Sequence, residues 1–349
     1  MKKVFLLAAL LVASMSMMAE EPQSAMNQVV WHNGKVMYAN PIPTVDSITF
    51  AAEIESSDTL HLILPRTIIV HDTVIKEVIV EVHDTVYKCP PDPYAPLEGV
   101  FSVAADKQVK FSKGNLQCTI QGTDTTWAFA ANQYDMLGTA NVENSALADK
   151  IDLFGWSGST ATAKWGISTS MSDSDYSGDF VDWGQNIGDG TTWRTLTHDE
   201  WTYLCETRAN ASNLMGVARI NLDAEGITYA NGLILLPDTW TCPEDVDFKI
   251  GFVNIESEEE YEAYQVYANN QTFTLEQWAK LEAAGAVFLP ASGMRKGCIF
   301  NNMQEIGQYW YATTYGSTVA YYLEFGPFGN SNNGESRRLG FSVRLVQDL

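Results

Sequence analysis

The chain has 349 residues, of which 46% are hydrophobic and 11% aromatic, enough to bury a substantial core and to form more than one domain. With 43 acidic against 21 basic residues its formal net charge is −22 and its sequence pI about 4.4. That balance excludes a polyanionic partner such as nucleic acid, whose binding depends on neutralising phosphates with Lys and Arg, and the acidity itself serves solubility.

Residues 1–19 have the three parts of a secretory signal: Lys2 and Lys3, an apolar run over 4–12, and small residues at Ser14, Ser16 and Ala19. The run is too short to span a bilayer, which needs about 20 apolar residues, and no later run approaches that length, so no transmembrane span is expected. The mature protein is expected to be exported to the cell envelope, the cell surface or the medium. Five cysteines follow, Cys89, Cys118, Cys205, Cys242 and Cys298. An odd count leaves at least one thiol unpaired, and none forms a Cys-x-x-Cys pair or sits near a histidine at zinc-binding spacing.

Residues 20–52 read as a small β module. Two short apolar runs, 29–31 and 35–38, flank Asn33-Gly34, a two-residue hairpin turn signal, and 47–51 offers another strand. Residues 53–96 read as an extended spacer ending in a proline-rich linker. His-Asp-Thr-Val occurs at 71–74 and again at 83–86, among β-branched residues that favour extended chain. Two histidines about 40 Å apart on an extended strand suit a metal poorly, so strand pairing or oligomerisation through the spacer is the expected use. Cys-Pro-Pro-Asp-Pro-Tyr-Ala-Pro then forms a stiff boundary.

Residues 97–349 read as one mixed α+β domain. Short strands are expected over 101–103, 109–112, 114–120, 127–130 and 151–156. The acidic stretch Asp173, Asp175, Asp179 and Asp182 begins like an EF-hand loop, but Gly184 stands where the bidentate Glu belongs. A non-EF structural Ca²⁺ site on those aspartates and a solvated acidic loop both remain open; no other cofactor is implied. Thr197-His-Asp-Glu200 and Thr274-Leu-Glu-Gln277 are capping boxes that predict helices, the first to about Arg208 with Trp201, Leu204 and Cys205 on its apolar face, the second to Gly285. The runs 232–236 and 286–289, each ended by a proline, predict buried strands, and 257–269 predicts a surface helix. At the end of the chain, strands over 320–325 and 340–346 are expected to flank a polar loop, 326–339.

These pieces resemble a known family. Trp193-Arg-Thr-Leu-Thr-His-Asp-Glu-Trp-Thr-Tyr-Leu is similar to a W-R-L-P-T-x-x-E-W-x-Y segment of the formylglycine-generating-enzyme-like, or sulfatase-modifying-factor, superfamily. Gly307-x-Tyr-Trp310, Ala320-Tyr-Tyr-Leu323 and Arg338-x-Gly340-Phe341-Ser-Val343-Arg344 resemble its carboxy-terminal core, a variant of the C-type lectin fold. The resemblance covers 97–349 and extends to a bacterial exported branch through 109–117, Asp152-Leu-Phe-Gly-Trp156 and 285–290. It implies a C-type-lectin-like domain. The enzymes of that superfamily oxidise a substrate cysteine with copper held by two cysteines near their final G-F-R segment. Here 299–349 contains no cysteine and Cys298 lies upstream, so a non-catalytic protein is expected.

The Gly-x-Ser-x-Gly elbow of hydrolases and phosphate-binding glycine loops are missing from the sequence, so no catalytic constellation is assigned. The expected ligand contacts are Tyr309, Tyr311, Tyr315, Phe328, Asn330, Asn332, Asn333 and Arg337, a mixture of aromatics and adaptable amides suited to a glycan or protein ligand. The same residues also read as core tyrosines, ordinary turn residues and internal ion-pair arginines. An enzyme with an altered site and a structural envelope component are the competing readings.

Overall fold

The computed structural model describes residues 26–32, 35–42, 59–60, 87–88, 92, 94–160, 162–253 and 263–349. The expected signal sequence, the strand at 47–51, both His-Asp-Thr-Val repeats and Cys89 lie outside the described residues. The chain divides into two compact units, Met1–Pro91 and Asp92–Leu349. In the first, β1 (Met26–His32) pairs antiparallel with β2 (Lys35–Ile42), with His32 opposite Lys35 on either side of Asn33-Gly34. β3 (Thr59–Leu60) pairs with β4 (Tyr87–Lys88), so the chain enters and leaves the interval 61–86 at neighbouring positions.

The second unit is α+β, mostly strands with few helices. One sheet has the order β12 (Arg194–Thr195), β22 (Leu345–Asp348), β6 (Lys107–Phe111), β5 (Phe101–Ala104). Another runs β11 (Lys150–Ile151), β7 (Leu116–Gln121), β8 (Asp124–Phe129). A third runs β15 (Thr272–Phe273), β13 (Met215–Asn221), β14 (Tyr229–Leu235), β16 (Val287–Pro290), with only the β13–β15 pair parallel. The fourth runs β19 (Gly307–Thr314), β20 (Val319–Gly326), β21 (Gly329–Ser336). Two small hairpins, β9 (Val142–Glu143) with β10 (Ala146–Leu147) and β17 (Met294–Lys296) with β18 (Ile299–Asn301), complete the strands. Among the described residues no helix is long and apolar enough to cross a membrane.

The central strands are apolar on both faces because both are covered. Leu233, Leu235, Val287 and Leu289 pack with Trp201, Phe111, Tyr309 and Leu323 in one core cluster. Their neighbours Ile234, Leu236 and Phe288 pack on the opposite face against Trp278 and Leu281. These last two belong to α3 (Leu275–Ala283), capped by the reciprocal Thr274–Gln277 box. It ends with Gly285 at φ +92°, donating to the Glu282 carbonyl while Ala286 donates to Leu281, the left-handed stop that only glycine enters without strain. The helix α1 (His198–Thr202) begins at the Thr197–Glu200 box and continues as a π-helical turn, Tyr203–Thr207. The expected helix over 257–269 is represented by α2 (Ala263–Asn270).

Three expectations are corrected. The polar stretch 326–339 is mostly not a loop: Gly329–Ser336 forms β21, paired along its length with β20 through a turn at Pro327-Phe328. Its Asn, Ser and Gly residues have little strand propensity, and the ladder offered by β20 overrides that. The run 340–346 is not one strand. Gly340 bridges Arg295, Phe341 bridges Phe154 and Ser342 bridges Tyr309 before β22 begins. The run 151–156 likewise pairs only at its start and at Phe154.

One buried carboxylate stands out energetically. Asp152 is 1% exposed; one oxygen accepts a 2.8 Å bond from the Leu137 amide, and Oδ1 has no hydrogen-bond partner among the described residues. Burial raises its pKa to about 6, against the lowering effect of its hydrogen bonds. The folded state therefore holds this proton more tightly than the unfolded chain does, so stability falls as pH rises from about 4 to about 6. The predicted outcome is that Asp152→Asn gains on the wild type by something on the order of 3 kcal/mol between pH 4 and pH 7 in urea unfolding; parallel profiles would contradict it.

Candidate functional site

The sequence-predicted ligand residues divide into three groups. Tyr309, Tyr311 and Arg337 belong to the scaffold, which corrects their assignment to an accessible face. Tyr309 is fully buried, donates a 2.9 Å bond to the Pro290 carbonyl and accepts one from Asn115. Tyr311 is equally buried, stacks on Trp201 at 5.8 Å and donates to Asn332 Oδ1. Burial pushes both phenols up, so they stay neutral. Arg337 is 3% exposed, lies over the Trp156 ring at 4.2 Å, and donates to the carbonyls of Val319, Gly178 and Gly316.

Tyr315 and Phe328 are exposed, but they sit in the turns at opposite ends of β20. An eight-residue strand separates them by roughly 23 Å. One small ligand cannot touch both. Asn330, Asn332 and Asn333 lie on β21. Asn332 turns inward, donating to Glu206 Oε1 at 2.8 Å and Thr202 Oγ1 at 3.3 Å, while Asn333 donates to Ser331 Oγ at 2.8 Å.

What the fold brings together is Tyr315 with two residues not predicted from sequence, Tyr321 and His198. Tyr321 and Tyr315 meet edge to face at 5.1 Å, and the His198 imidazole lies over Tyr321 at 4.2 Å. His198 opens α1, where its amide donates to Thr313 Oγ1 and its Nδ1 lies 3.1 Å from Asp199 Oδ1. In the β20–β21 register Tyr321 faces Gly334, and a Cβ there would come within 3.3 Å of the Tyr315 ring. The absence of a side chain at Gly334 thus lets Tyr315 settle against Tyr321. The three rings form a braced shelf, with Tyr315 60% exposed. Tyr321 shares a strand face with Leu323 and Phe325, and that alternation is the signal that places it beside the core.

The helix under the shelf is tied down by the Trp193–Trp201 segment. Glu200 closes the capping box by accepting from the Thr197 amide and also accepts from Arg194 at 2.7 Å and Lys107 at 2.9 Å. Burial acts to raise its pKa, but these partners outweigh it and hold the carboxyl below its ordinary range. The two tryptophans are buried on either side.

The aspartates proposed for Ca²⁺ do not converge. Asp173 pairs with Arg338 at 2.7 Å and accepts from Ser336 Oγ at 2.6 Å. Asp175 accepts from Ser170 Oγ at 2.5 Å, and Asp182 holds the Gly184 amide and the Thr195 amide and hydroxyl. Asp179 is exposed. Among the described residues no group of three His, Cys, Asp or Glu side chains is arranged to hold a metal ion. Of the cysteines, Cys118 and Cys205 are buried, each thiol pushed up to about 12 by burial, while Cys242 and Cys298 are exposed. Cys298 lies in the turn between β17 and β18.

Compared with known proteins, the chain matches no family model, no curated protein and no solved structure.

Asn332 links the shelf's supporting elements, since Tyr311, Thr202 and Glu206 all meet its carboxamide. Asn332→Ala leaves the Tyr311 hydroxyl buried without a partner and is predicted to cost about 1–3 kcal/mol in urea unfolding. An unchanged midpoint would show that the carboxamide does not brace the helix against the sheet.

Proposed function

We propose that this is an exported recognition protein whose Asp92–Leu349 unit is a C-type-lectin-like domain of the formylglycine-generating-enzyme type. It binds a glycan or protein surface on the shelf of His198, Tyr315 and Tyr321. The observation that carries the reading is the shelf's construction. Tyr315 leaves most of its ring in water, yet it is held edge to face on Tyr321, which is itself covered by His198. A ring fixed before binding loses little conformational entropy when a ligand arrives. Tyrosine adds an apolar face and a polar tip, which suits sugar C–H faces and mixed protein surfaces alike.

The surroundings support the same reading. Thr202 and Glu206 beside Asn332 supply polar atoms next to the aromatic surface. Export to the cell exterior rests on the charged, apolar and small-residue sequence of 1–19. The catalytic alternative has less support, because Cys298 stands alone in its hairpin turn and a copper site of the enzyme type needs two thiolates.

Glycan-array and protein-interaction screens on the full chain test this. The expected result is a ligand whose affinity drops about tenfold or more in Tyr315→Ala and Tyr321→Ala, as for truncated aromatic anchors. A ligand retained at full affinity by both variants would remove the shelf from the function.

A further inference from the structure

A second feature of the Asp92–Leu349 unit has the construction of a ligand pocket. It is a half-open cleft of about 480 Å³, lined among others by Gln117, Tyr134, Leu137, Lys150, Tyr229 and Gln304. The volume falls within the range of small-molecule sites, roughly 300–1,000 Å³. Its origin lies in the β11–β7–β8 sheet. Leu116, Cys118, Ile151, Trp127 and Phe129 turn to the core, so Gln117 is left on the opposite face. Its partner in register is Ala128, too short to reach the carboxamide.

Gln117 is only 5% exposed, and its carboxamide makes no hydrogen bond to the described residues. The carboxamide is thus free to bond to whatever enters the cleft. The Tyr134 hydroxyl, also on the cleft, likewise makes no hydrogen bond to the described residues, and its pKa is raised first by burial and then by Asp135 and Glu282. The opposite wall is rigid. Gln304 holds a left-handed backbone at φ +65° while its side chain accepts from the Asn231 amide at 2.8 Å and donates to the Tyr229 carbonyl at 3.1 Å. The Tyr229 ring is fixed beneath the Arg219 guanidinium at 3.8 Å.

We infer that this cleft is a binding site, separate from the aromatic shelf, for a small uncharged polyhydroxylated ligand of the mono- or disaccharide class. Gln117 and Tyr134 together offer donors and acceptors matched to vicinal hydroxyls. Met136, Leu137 and Leu222 supply apolar wall for the C–H face of a sugar ring. The charged side chains at the rim, Asp135 and Lys150, have opposite signs, and the Asp135 carboxylate already accepts from the Asn132 amide at 2.9 Å and from its carboxamide. The opposite signs leave the rim without the net charge that would select a charged ligand over a neutral one.

Saturation-transfer NMR and calorimetry on the full chain test the assignment with glucose, galactose, mannose, N-acetylglucosamine, maltose, cellobiose and lactose, and with glucuronic acid and glucosamine as charged probes. The expected result is that at least one neutral sugar binds. Gln117→Ala should weaken it about fivefold or more, and Tyr134→Phe about two- to fivefold, each removing one hydrogen-bonding partner. Unchanged melting curves would establish that both variants fold. Binding of no neutral sugar, binding of the charged probes alone, or full affinity in both variants would overturn the assignment. Binding that depends on Tyr315 instead would also overturn it while leaving the shelf reading intact.

Discussion

The Asp92–Leu349 unit depends on its final ten residues, which pass between sheets that otherwise share no ladder. Gly340 exchanges backbone hydrogen bonds with Arg295, Phe341 with Phe154, and Ser342 donates to Gln308 and accepts from Trp310. The Val343 carbonyl accepts from Leu116 and the Leu345 carbonyl from Ser112, after which β22 pairs with β6 and β12. Side chains close the gaps that this irregular path leaves. Arg295 is fully buried and donates to the carbonyls of Leu153, Ser168 and Gly297. Arg344 donates to Gln133 at 2.8 Å, and burial lowers its pKa to about 10. A guanidinium suits this work because its charge is delocalised and its five donors reach several carbonyls at once. Ion pairs with carboxylates are made instead by Arg338, Arg194 and Arg208.

This internal bracing accounts for the rigidity of the shelf. Both faces of β20 are buried, with Leu323 and Phe325 in one cluster and Ala320 and Tyr322 in another, so the strand cannot tilt without disturbing two cores. Tyr321 leaves that strand toward α1, and α1 is itself held by its capping box and by the Arg194–Glu200–Lys107 cluster. The string Trp193 to Trp201 is thus a structural clasp.

Local signals were legible in the sequence where one physical term decides. A hydroxyl three residues before a carboxylate or amide marked both capped helices, a proline marked the ends of β14 and β16, and Asn-Gly marked the first hairpin. Legibility failed where tertiary context decides. The polar strand β21 has no apolar alternation to reveal it, because it is an edge strand defined by its neighbour. Tyr309, Tyr311 and Tyr315 look alike in sequence, yet two are buried with their hydroxyls bonded and one stands in water. The aspartates of 173–182 cluster in sequence, but the carboxylates of Asp173, Asp175 and Asp182 each bond to a different segment and Asp179 is exposed. Gln117 gave no signal at all, because an unpartnered amide is recognisable only when its surroundings are known.

Hydrogen exchange followed by mass spectrometry on the full chain tests the central claim that the carboxy-terminal passage locks the unit. The amides of Phe341 and Ser342, and of Arg295, Trp310 and Leu116 that donate to this passage, should exchange only through global unfolding, far slower than those of the polar edge strand β21. Exchange of 340–346 as fast as that of β21 would contradict the account, because the segment would then lie on the scaffold without holding it together.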